Sequence, residues 1–145
     1  MTASKVWPSL NRAVRALEGS EMKTILIVDD EVDIRDILRI RLANQPGFRI
    51  LEAANGSDAL ELTRQQRPDL IILDWLMPGF SGMEVLKALR ESPELTTIPV
   101  IMMTVKSELS AQAQGKAMGV VAYLTKPFDA VRLMETVQKA LKETS

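Results

Sequence analysis

Four apolar runs of this 145-residue chain each end in side chains that could bind a cation or a phosphoryl group. In chain order these side chains are Asp29 with Asp30, Asp74, Thr104 and Lys126. Short apolar runs that alternate with helical patterns predict buried parallel strands. Because ligands of open α/β sheets bind beyond the carboxyl ends of the strands, we predict that carboxylates, a hydroxyl and an ammonium group meet at one edge. That combination suits a divalent cation together with a phosphoryl group.

Asp29, Asp30 and Asp74 would repel one another as ionised neighbours. Two like charges about 5 Å apart repel by roughly 3 kcal/mol at an effective dielectric constant near 20, so the group needs a cation or a raised pKa. Oxygen ligands select a hard cation, and Mg²⁺ binds one or two carboxylates together with water and phosphate oxygens. The three aspartates therefore predict a Mg²⁺ site that a phosphoryl group completes.

Each of these residues alone has a plainer explanation. Asp29 and Asp30 could cap the helix that follows them, and Asp74 could be a turn residue. Thr104 could bond to a backbone group, and Lys126 could be a solvated loop charge. The functional interpretation is favoured because the strand register brings all of them to one edge.

The composition excludes several kinds of chemistry. The chain has neither cysteine nor histidine, which removes disulfides, thiolate and histidine metal sites, Ser-His-Asp catalysis and a phosphohistidine carrier role. A net charge of −1 gives no electrostatic footprint for nucleic acid. No apolar run is long enough to cross a bilayer and no secretory signal pattern opens the chain, so the predicted location is the cytoplasm.

Apolar runs and helical patterns alternate regularly from residue 24 onward. The predicted strands are 24–29, 48–54, 69–74, 98–104 and 120–125. The predicted helices are about 32–45, 57–66, 82–91, 107–118 and 129–143. Ser81 with Glu84 forms a capping-box pattern for the third helix, and Asp129 is placed to cap the last helix. Five successive βα units with right-handed connections predict one α/β domain with a doubly wound parallel sheet of five strands.

The first and last helices each carry one apolar stripe that we expect to pack on the sheet. These stripes comprise Ile34, Ile37, Leu38 and Leu42, and Val131, Leu133, Met134, Val137 and Leu141. The other face of the first helix carries Arg35, Arg39 and Arg41.

Residues 1–22 are predicted to be an N-terminal extension and residues 23–145 the folded domain. Leu10, Val14 and Leu17 recur at helical spacing, which predicts a short amphipathic helix in the extension. Two interpretations stay open. The extension could lie upstream of a natural start, or its helix could pack on the domain or on a partner.

Four motifs mark the ends of the predicted strands: IVDDE at 27–31, LDWLMPG at 73–79 with Gly82, MT at 103–104, and YLTKPF at 123–128. With these motifs in this order, the chain resembles the receiver domain, the phosphoacceptor module of two-component response regulators. The resemblance covers residues 23 to about 143. The resemblance implies a flavodoxin-like (βα)5 fold with the strand order 2-1-3-4-5.

The resemblance also implies roles for the residues at the matching positions. Asp74 would accept the phosphoryl group and form an acyl phosphate. Asp30, Asp74 and the backbone carbonyl of Leu76 would ligate Mg²⁺, and Asp29 would assist through water. Lys126 would pair with the phosphoryl oxygens, so that it and Mg²⁺ together stabilise the charge on the transferring group.

A conformational switch is implied as well. Thr104 would move toward the phosphoryl group and hydrogen-bond to it, and Tyr123 would rotate inward into the space that Thr104 leaves. The surface of the fourth helix, the last strand and the fifth helix would then change, and that change is the output. The resemblance further implies a cis peptide bond between Lys126 and Pro127.

Two residues depart from the family pattern. Leu76 is apolar and cannot position an attacking water molecule. Val105 is bulkier than the small residue usual at its position, so it could narrow access to Asp74. Both departures predict slow exchange of the phosphoryl group.

The leading hypothesis is a response regulator that receives a phosphoryl group from a histidine kinase or a histidine phosphotransfer protein. It would act as a stand-alone, single-domain regulator that controls a downstream effector protein or passes the group along a relay. The alternative that the chain is the receiver of a longer protein stays open. The expected protein is a monomer or weak dimer that binds neither nucleic acid nor membrane directly and catalyses only its own phosphorylation and dephosphorylation.

Two alternatives stay open at this point. One is a Mg²⁺-dependent phosphohydrolase with an aspartyl nucleophile, although such enzymes usually carry a DxD pattern and here Asp29 and Asp30 are adjacent. The other is a scaffold that works without phosphorylation. This alternative is disfavoured because the chain contains every residue that the switch requires.

Overall fold

The computed structural model describes residues 22–105 and 114–144. The strands in these residues are β1 Lys23–Val28, β2 Phe48–Ala53, β3 Leu70–Asp74, β4 Val100–Val105 and β5 Ala122–Lys126. They form one parallel sheet with the order β2-β1-β3-β4-β5. The predicted fold class and strand order are therefore confirmed.

Helices connect the strands along the chain. They are α1 Val32–Ala43, α2 Gly56–Gln66, α3 Gly82–Glu91, α4 at residues 114–117, and α5 Ala130–Thr144. The predicted fourth helix lies mostly outside the described residues, as does the predicted helix in the N-terminal extension. None of the helices in the described ranges has the length and apolar character that crossing a membrane requires.

The central strands bury both faces of the sheet. Successive residues of a strand point to opposite faces, so each strand supplies two cores. The side chains that pack with α2 and α3 include Leu26, Val28, Ile71 and Leu73. Those that pack with α1 and α5 include Ile25, Ile27, Leu70 and Ile72. This two-sided burial explains why the strands are continuous apolar runs rather than alternating ones.

Side-chain caps define where two of the helices begin. The capping box predicted for Ser81 and Glu84 is present at the start of α3, where each residue bonds to the other's backbone N–H. The Asp129 carboxylate accepts a hydrogen bond of 2.7 Å from the backbone N–H of Arg132 at the start of α5. Both bonds satisfy N–H groups that have no partner inside the helix.

Two residues of the predicted apolar stripes do not pack on the sheet. Ile37 of α1 is 44% exposed and Val131 of α5 is 67% exposed, so the prediction that they are buried is wrong. Their neighbours Leu38 and Leu133 are fully buried. Because each helical residue is rotated by about 100° from the one before it, Ile37 and Val131 point away from the face that holds these leucines.

Candidate functional site

The carboxyl ends of the strands bury polar side chains at one edge of the sheet. Asp29 follows β1 and is fully buried, while Asp74 ends β3 and is 4% exposed. Thr104, near the end of β4, is 2% exposed. Buried charged side chains need a partner to offset the loss of hydration, so the contacts of these residues decide what the site can do.

Lys126, the last residue of β5, supplies that partner. Its Nζ lies 2.7 Å from Asp29 Oδ2 and 3.2 Å from Asp74 Oδ1. The Lys126 side chain is only 14% exposed. One ammonium group is thus shared between two buried carboxylates that come from different strands.

Two further carboxylates stand beside this bridge. Carboxylate oxygens of Asp29, Asp30 and Glu31 all lie within 4.8 Å of one another, and both Asp30 and Glu31 are exposed. Lys126 Nζ is 3.9 Å from Glu31 Oε1. Asp29, Glu31 and Asp74 contact one ammonium group and Asp30 lies beside two of them, so negative charge is in excess when all four are ionised. The set contains only oxygen donors and opens to solvent through Asp30 and Glu31, so it fits a hard divalent cation such as Mg²⁺.

The electrostatics of the bridge appear in two pKa shifts. Burial raises the pKa of Asp74 from 3.8 to about 6, and the charge of Asp29 acts in the same direction, while Lys126 and the backbone N–H of Leu76 oppose the rise. Burial acts to lower the pKa of Lys126, but the hydrogen bond to Asp29 and the charge of Asp74 outweigh it, so that pKa is raised. Lys126 therefore stays an ammonium group at neutral pH. Ionisation of Asp74 is less favourable in the folded protein than in water.

A tight backbone contact fixes the loop after Asp74. The N–H of Gly82, the first residue of α3, donates to the Trp75 carbonyl oxygen at 3.1 Å. A Cβ atom placed on Gly82 would overlap the Asp74 carbonyl oxygen. The Trp75 N–H donates in turn to the Met103 carbonyl oxygen of β4 at 2.9 Å. A residue without a side chain is thus required at position 82, and the start of α3 is tied to the strand that carries Asp74.

Thr104 lies beside Asp74 in the strand register. Met103 is the β4 partner of Asp74, so Thr104 lies one residue beyond it. Among residues 22–105 and 114–144, the buried Thr104 Oγ1 has no hydrogen-bond partner. A buried hydroxyl without a partner is unfavourable, so this oxygen is available to a group that enters the site.

Residues 25–138 match the family described as the response regulator receiver domain. The chain belongs to this family. The match covers most of the chain, including β2 to β5, all but the first two residues of β1, and the residues Asp29, Asp74, Thr104 and Lys126. Receiver domains of response regulators are signalling modules, and the resemblance noted in the sequence is therefore confirmed.

Curated relatives and solved structures agree with this assignment. The chain is 40% identical over 122 residues to the phosphate regulon transcriptional regulatory protein PhoB of Pseudomonas aeruginosa, an alignment that covers 84% of this chain and 53% of PhoB. It therefore spans about half the length of that relative. It is 39% identical to sporulation initiation phosphotransferase F of Bacillus subtilis, over 81% of this chain and 92% of the relative. The structure of the chemotaxis response regulator CheY4 of Vibrio cholerae superposes with a TM-score of 0.76 and 34% identity, over 82% of this chain and 98% of CheY4.

In this receiver domain Tyr123 connects β5 to α4. Its strand partner is Met102, so Tyr123 projects from the same face of the sheet as Thr104, two residues further along β4. The backbone N–H of Lys116 bonds to the Tyr123 hydroxyl, and a Cβ atom on Gly115 would lie only 2.8 Å from that oxygen. Gly115 thus leaves room for the tyrosine against α4.

Arg90 holds the chain that follows α4. Its Nε donates to the Met118 carbonyl oxygen at 2.8 Å, and its Nη1 donates to the Ile98 carbonyl oxygen at 3.1 Å. One guanidinium group from α3 therefore joins the turn before β4 to the turn before β5.

The structure brings together most, but not all, of the residues expected at the receiver site. Lys126 is in direct contact with Asp29 and Asp74, whereas Asp30 lies with Glu31 at the exposed rim, beside the buried Asp29. Leu76, 54% exposed, follows Asp74 in the loop. The Lys126–Pro127 peptide bond is cis.

Sequence reasoning missed Arg35. The helical pattern predicts that Arg35 lies on the outer face of α1, but its side chain is only 16% exposed and its Nη1 donates to the Asp29 carbonyl oxygen at 2.8 Å. A signal for this contact exists in the sequence. Arg35 lies in the first turn of α1, and helical side chains lean toward the N-terminus of their helix, which here is the Asp29 end.

Proposed function

We propose that this protein is a phosphoacceptor response regulator in which Asp74 receives a phosphoryl group with the help of bound Mg²⁺. The observation that carries the proposal is the Lys126 ammonium group shared by the buried carboxylates of Asp29 and Asp74. A buried carboxylate beside a fixed cation can act as a nucleophile toward phosphorus, because the cation also attracts the oxygens of the incoming group.

In the proposed transfer, a carboxylate oxygen of Asp74 attacks the phosphorus atom of a phosphohistidine. A phosphorus–oxygen bond forms, the phosphorus–nitrogen bond breaks, and the imidazole leaves with the electron pair and takes up a proton. The product is an acyl phosphate on Asp74. Because this chain contains no histidine, the phosphohistidine belongs to another protein, a histidine kinase or a histidine phosphotransfer protein.

Several side chains would hold the transferring group. Lys126 would exchange part of its contact with Asp74 for one with a phosphoryl oxygen, while its 2.7 Å bond to Asp29 keeps it in place. Asp29, Asp30 and Asp74, with the carbonyl of Leu76, would hold Mg²⁺, and Glu31 stands close enough to assist. When bound, Mg²⁺ would offset the charge that accumulates on the phosphoryl oxygens.

The proposed switch begins at Thr104. Its buried hydroxyl, which has no partner within residues 22–105 and 114–144, would donate to a phosphoryl oxygen, and this bond would draw the end of β4 toward Asp74. Tyr123 projects from the same face of the sheet and is bonded to α4 through Lys116. A change at Thr104 would thus reach α4 through Tyr123 and alter the surface formed by α4, β5 and α5.

The proposal also covers the output, location, domain bounds and oligomeric state of the protein. The output is control of an effector protein or onward transfer in a relay, from a cytoplasmic location and without direct contact to nucleic acid or membrane. Residues 1–22 are proposed to be an extension and residues 23–145 the receiver domain. The protein is proposed to act as a monomer or weak dimer and to catalyse only its own phosphorylation and dephosphorylation.

Intact mass spectrometry tests the transfer. The protein is incubated with Mg²⁺ and acetyl phosphate, which supplies the same phosphoryl group without a partner protein. We expect a single added phosphoryl group, and none in Asp74→Asn or in a sample treated with a chelator. Continuous release of phosphate from many unrelated phosphomonoesters would instead favour a phosphohydrolase, and a folded parent that gains no mass would contradict the proposal.

A further inference from the structure

Arg35 of α1 links β2 to Asp29, the residue that follows β1. Its Nη1 donates to the carbonyl oxygen of Asp29 at 2.8 Å, and its Nε lies 3.3 Å from Glu52 Oε1 on β2. The Glu52 side chain is about one third exposed, and the Arg35 side chain only 16%. A guanidinium group from α1 is thus held between β2 and the residue that follows β1.

The carbonyl that Arg35 contacts belongs to the peptide that links Asp29 to Asp30. The other side of Asp29 is also fixed, since its N–H donates to the Ala53 carbonyl oxygen at 3.2 Å. Its carboxylate accepts from the Glu31 N–H at 2.9 Å and from Lys126 at 2.7 Å. Rotation of the peptide after Asp29 would redirect the Asp30 carboxylate, and the Arg35 bond opposes that rotation.

We propose that Arg35 is a positioning residue for the divalent-cation site: its bond to the Asp29 carbonyl holds the Asp29–Asp30 peptide so that both carboxylates converge. This inference rests on the proposed function, because it assumes that these carboxylates bind Mg²⁺. Groups that orient metal ligands commonly change metal affinity by about 10–100-fold when they are removed.

Glu52 determines where the Arg35 guanidinium lies. It pairs with Ile27 of β1 in the strand register, so its side chain projects close to the end of β1. One of its carboxylate oxygens binds Arg35 Nε, which leaves Nη1 free to point at the Asp29 carbonyl. A lysine has one ammonium group and cannot reproduce both contacts in this forked geometry.

Arg39 is a natural control for Arg35. It lies one helical turn further along α1, and its Nε is 3.3 Å from the other oxygen of the same glutamate, Glu52 Oε2. Its Nη2 bonds to Asp36 at 3.0 Å, and its side chain is 44% exposed. Each arginine therefore pairs with Glu52, but the contact with the Asp29 carbonyl is made by Arg35. Replacing either removes one positive charge from α1.

The experiment is a Mg²⁺ titration followed by the fluorescence of Trp75, the residue after Asp74. The second tryptophan, Trp7, is replaced by phenylalanine in all proteins so that the signal has one source. Variants Arg35→Gln, Arg35→Lys and Arg39→Gln are compared with the parent at a temperature where circular dichroism shows all of them folded. Urea denaturation in the absence of Mg²⁺ measures the stability of each one separately.

We expect Arg35→Gln to raise the Mg²⁺ dissociation constant about tenfold, Arg35→Lys to raise it by a smaller factor, and Arg39→Gln to change it less than about twofold. Arg35→Lys keeps the charge and the buried stem, so it provides the comparison if the glutamine variant does not fold. Dissociation constants within twofold of the parent for the folded Arg35 variants, or an equal loss in Arg39→Gln, would overturn the inference while the proposed function stands. A parent that binds no Mg²⁺ would overturn both.

Discussion

Leu73 and Asp74 are neighbours in β3, and both are buried, yet they contribute to the fold in opposite ways. Leu73 is fully enclosed by apolar side chains, so its burial stabilises the fold. Asp74 is 4% exposed beside Asp29 and depends on one shared ammonium group. The interior of the central strands therefore stabilises the fold, and this stability offsets the cost of holding like charges together at their carboxyl ends.

The largest effect is expected from the apolar member of this pair. Leu73→Ala removes a fully buried side chain and leaves a cavity, so we expect the free energy of unfolding to fall by about 2–5 kcal/mol. Urea denaturation monitored by circular dichroism measures it. A loss below about 1 kcal/mol would mean that the core around β3 collapses to fill the space.

Asp74→Asn should raise the free energy of unfolding of the Mg²⁺-free protein. The shift of the Asp74 pKa from 3.8 to about 6 means that the ionised group destabilises the Mg²⁺-free fold by at most about 3 kcal/mol, which the amide relieves. Since the native state holds this proton more tightly than the unfolded chain, the stability of the parent relative to the variant should decline between about pH 4 and pH 6.

Denaturation series at several pH values, without Mg²⁺, test this prediction. A difference between parent and Asp74→Asn that does not change across that window would contradict the raised pKa. Adding Mg²⁺ provides the control, because a ligand at a hundredfold excess over its dissociation constant stabilises the protein by about 2.7 kcal/mol. The parent should gain more from Mg²⁺ than the variant does.

A smaller effect is expected at Thr104. Thr104→Val replaces a buried hydroxyl that has no partner among the described residues with a methyl group of similar shape, which should stabilise the unphosphorylated protein by about 1 kcal/mol. Thr63 is the matched control, because it is equally buried and its hydroxyl donates to the Ala59 carbonyl oxygen at 2.6 Å. Thr63→Val should destabilise by a similar amount, and the same sign for both variants would contradict the difference between the two hydroxyls.

The smallest effect is expected at an exposed ion pair. Arg67 Nη2 lies 2.6 Å from Glu94 Oε2, a shorter contact than that between Lys126 and Asp74, but the side chains are 48% and 70% exposed. Water screens such a pair, so Glu94→Gln should change the free energy of unfolding by less than about 0.5 kcal/mol. A loss above 1 kcal/mol would show that distance rather than burial sets the strength of these contacts.

The strands and helices could be predicted from the sequence to within two residues at their described ends. Short apolar runs such as Ile25–Val28, alternating with helical patterns, predict strands buried on both faces, and Ser81 with Glu84 marks a helix start that the structure reproduces. The common position of Asp29, Asp74 and Lys126 follows from the same reasoning, since the carboxyl ends of parallel strands share one edge.

Contacts that depend on side-chain direction could not be predicted this way. Apolar spacing alone does not tell which residues of a helix lie at the boundary of its buried face, so it predicts burial for Ile37, which is 44% exposed. The polarity of Arg35 suggested solvent, although its long side chain reaches back to the Asp29 carbonyl. Spacing likewise does not reveal that Lys126 lies nearer to Asp29 than to Asp74.

Chemical trapping of the acyl phosphate shows directly whether Asp74 is the phosphoacceptor. The protein is phosphorylated with acetyl phosphate and Mg²⁺, and borohydride then reduces any acyl phosphate to a stable alcohol, which converts the modified aspartate to homoserine. Peptide mass spectrometry locates the product. We expect homoserine at position 74 alone. Homoserine at position 29 or 30, or a phosphoryl group that borohydride does not remove, would show that Asp74 is not the acceptor.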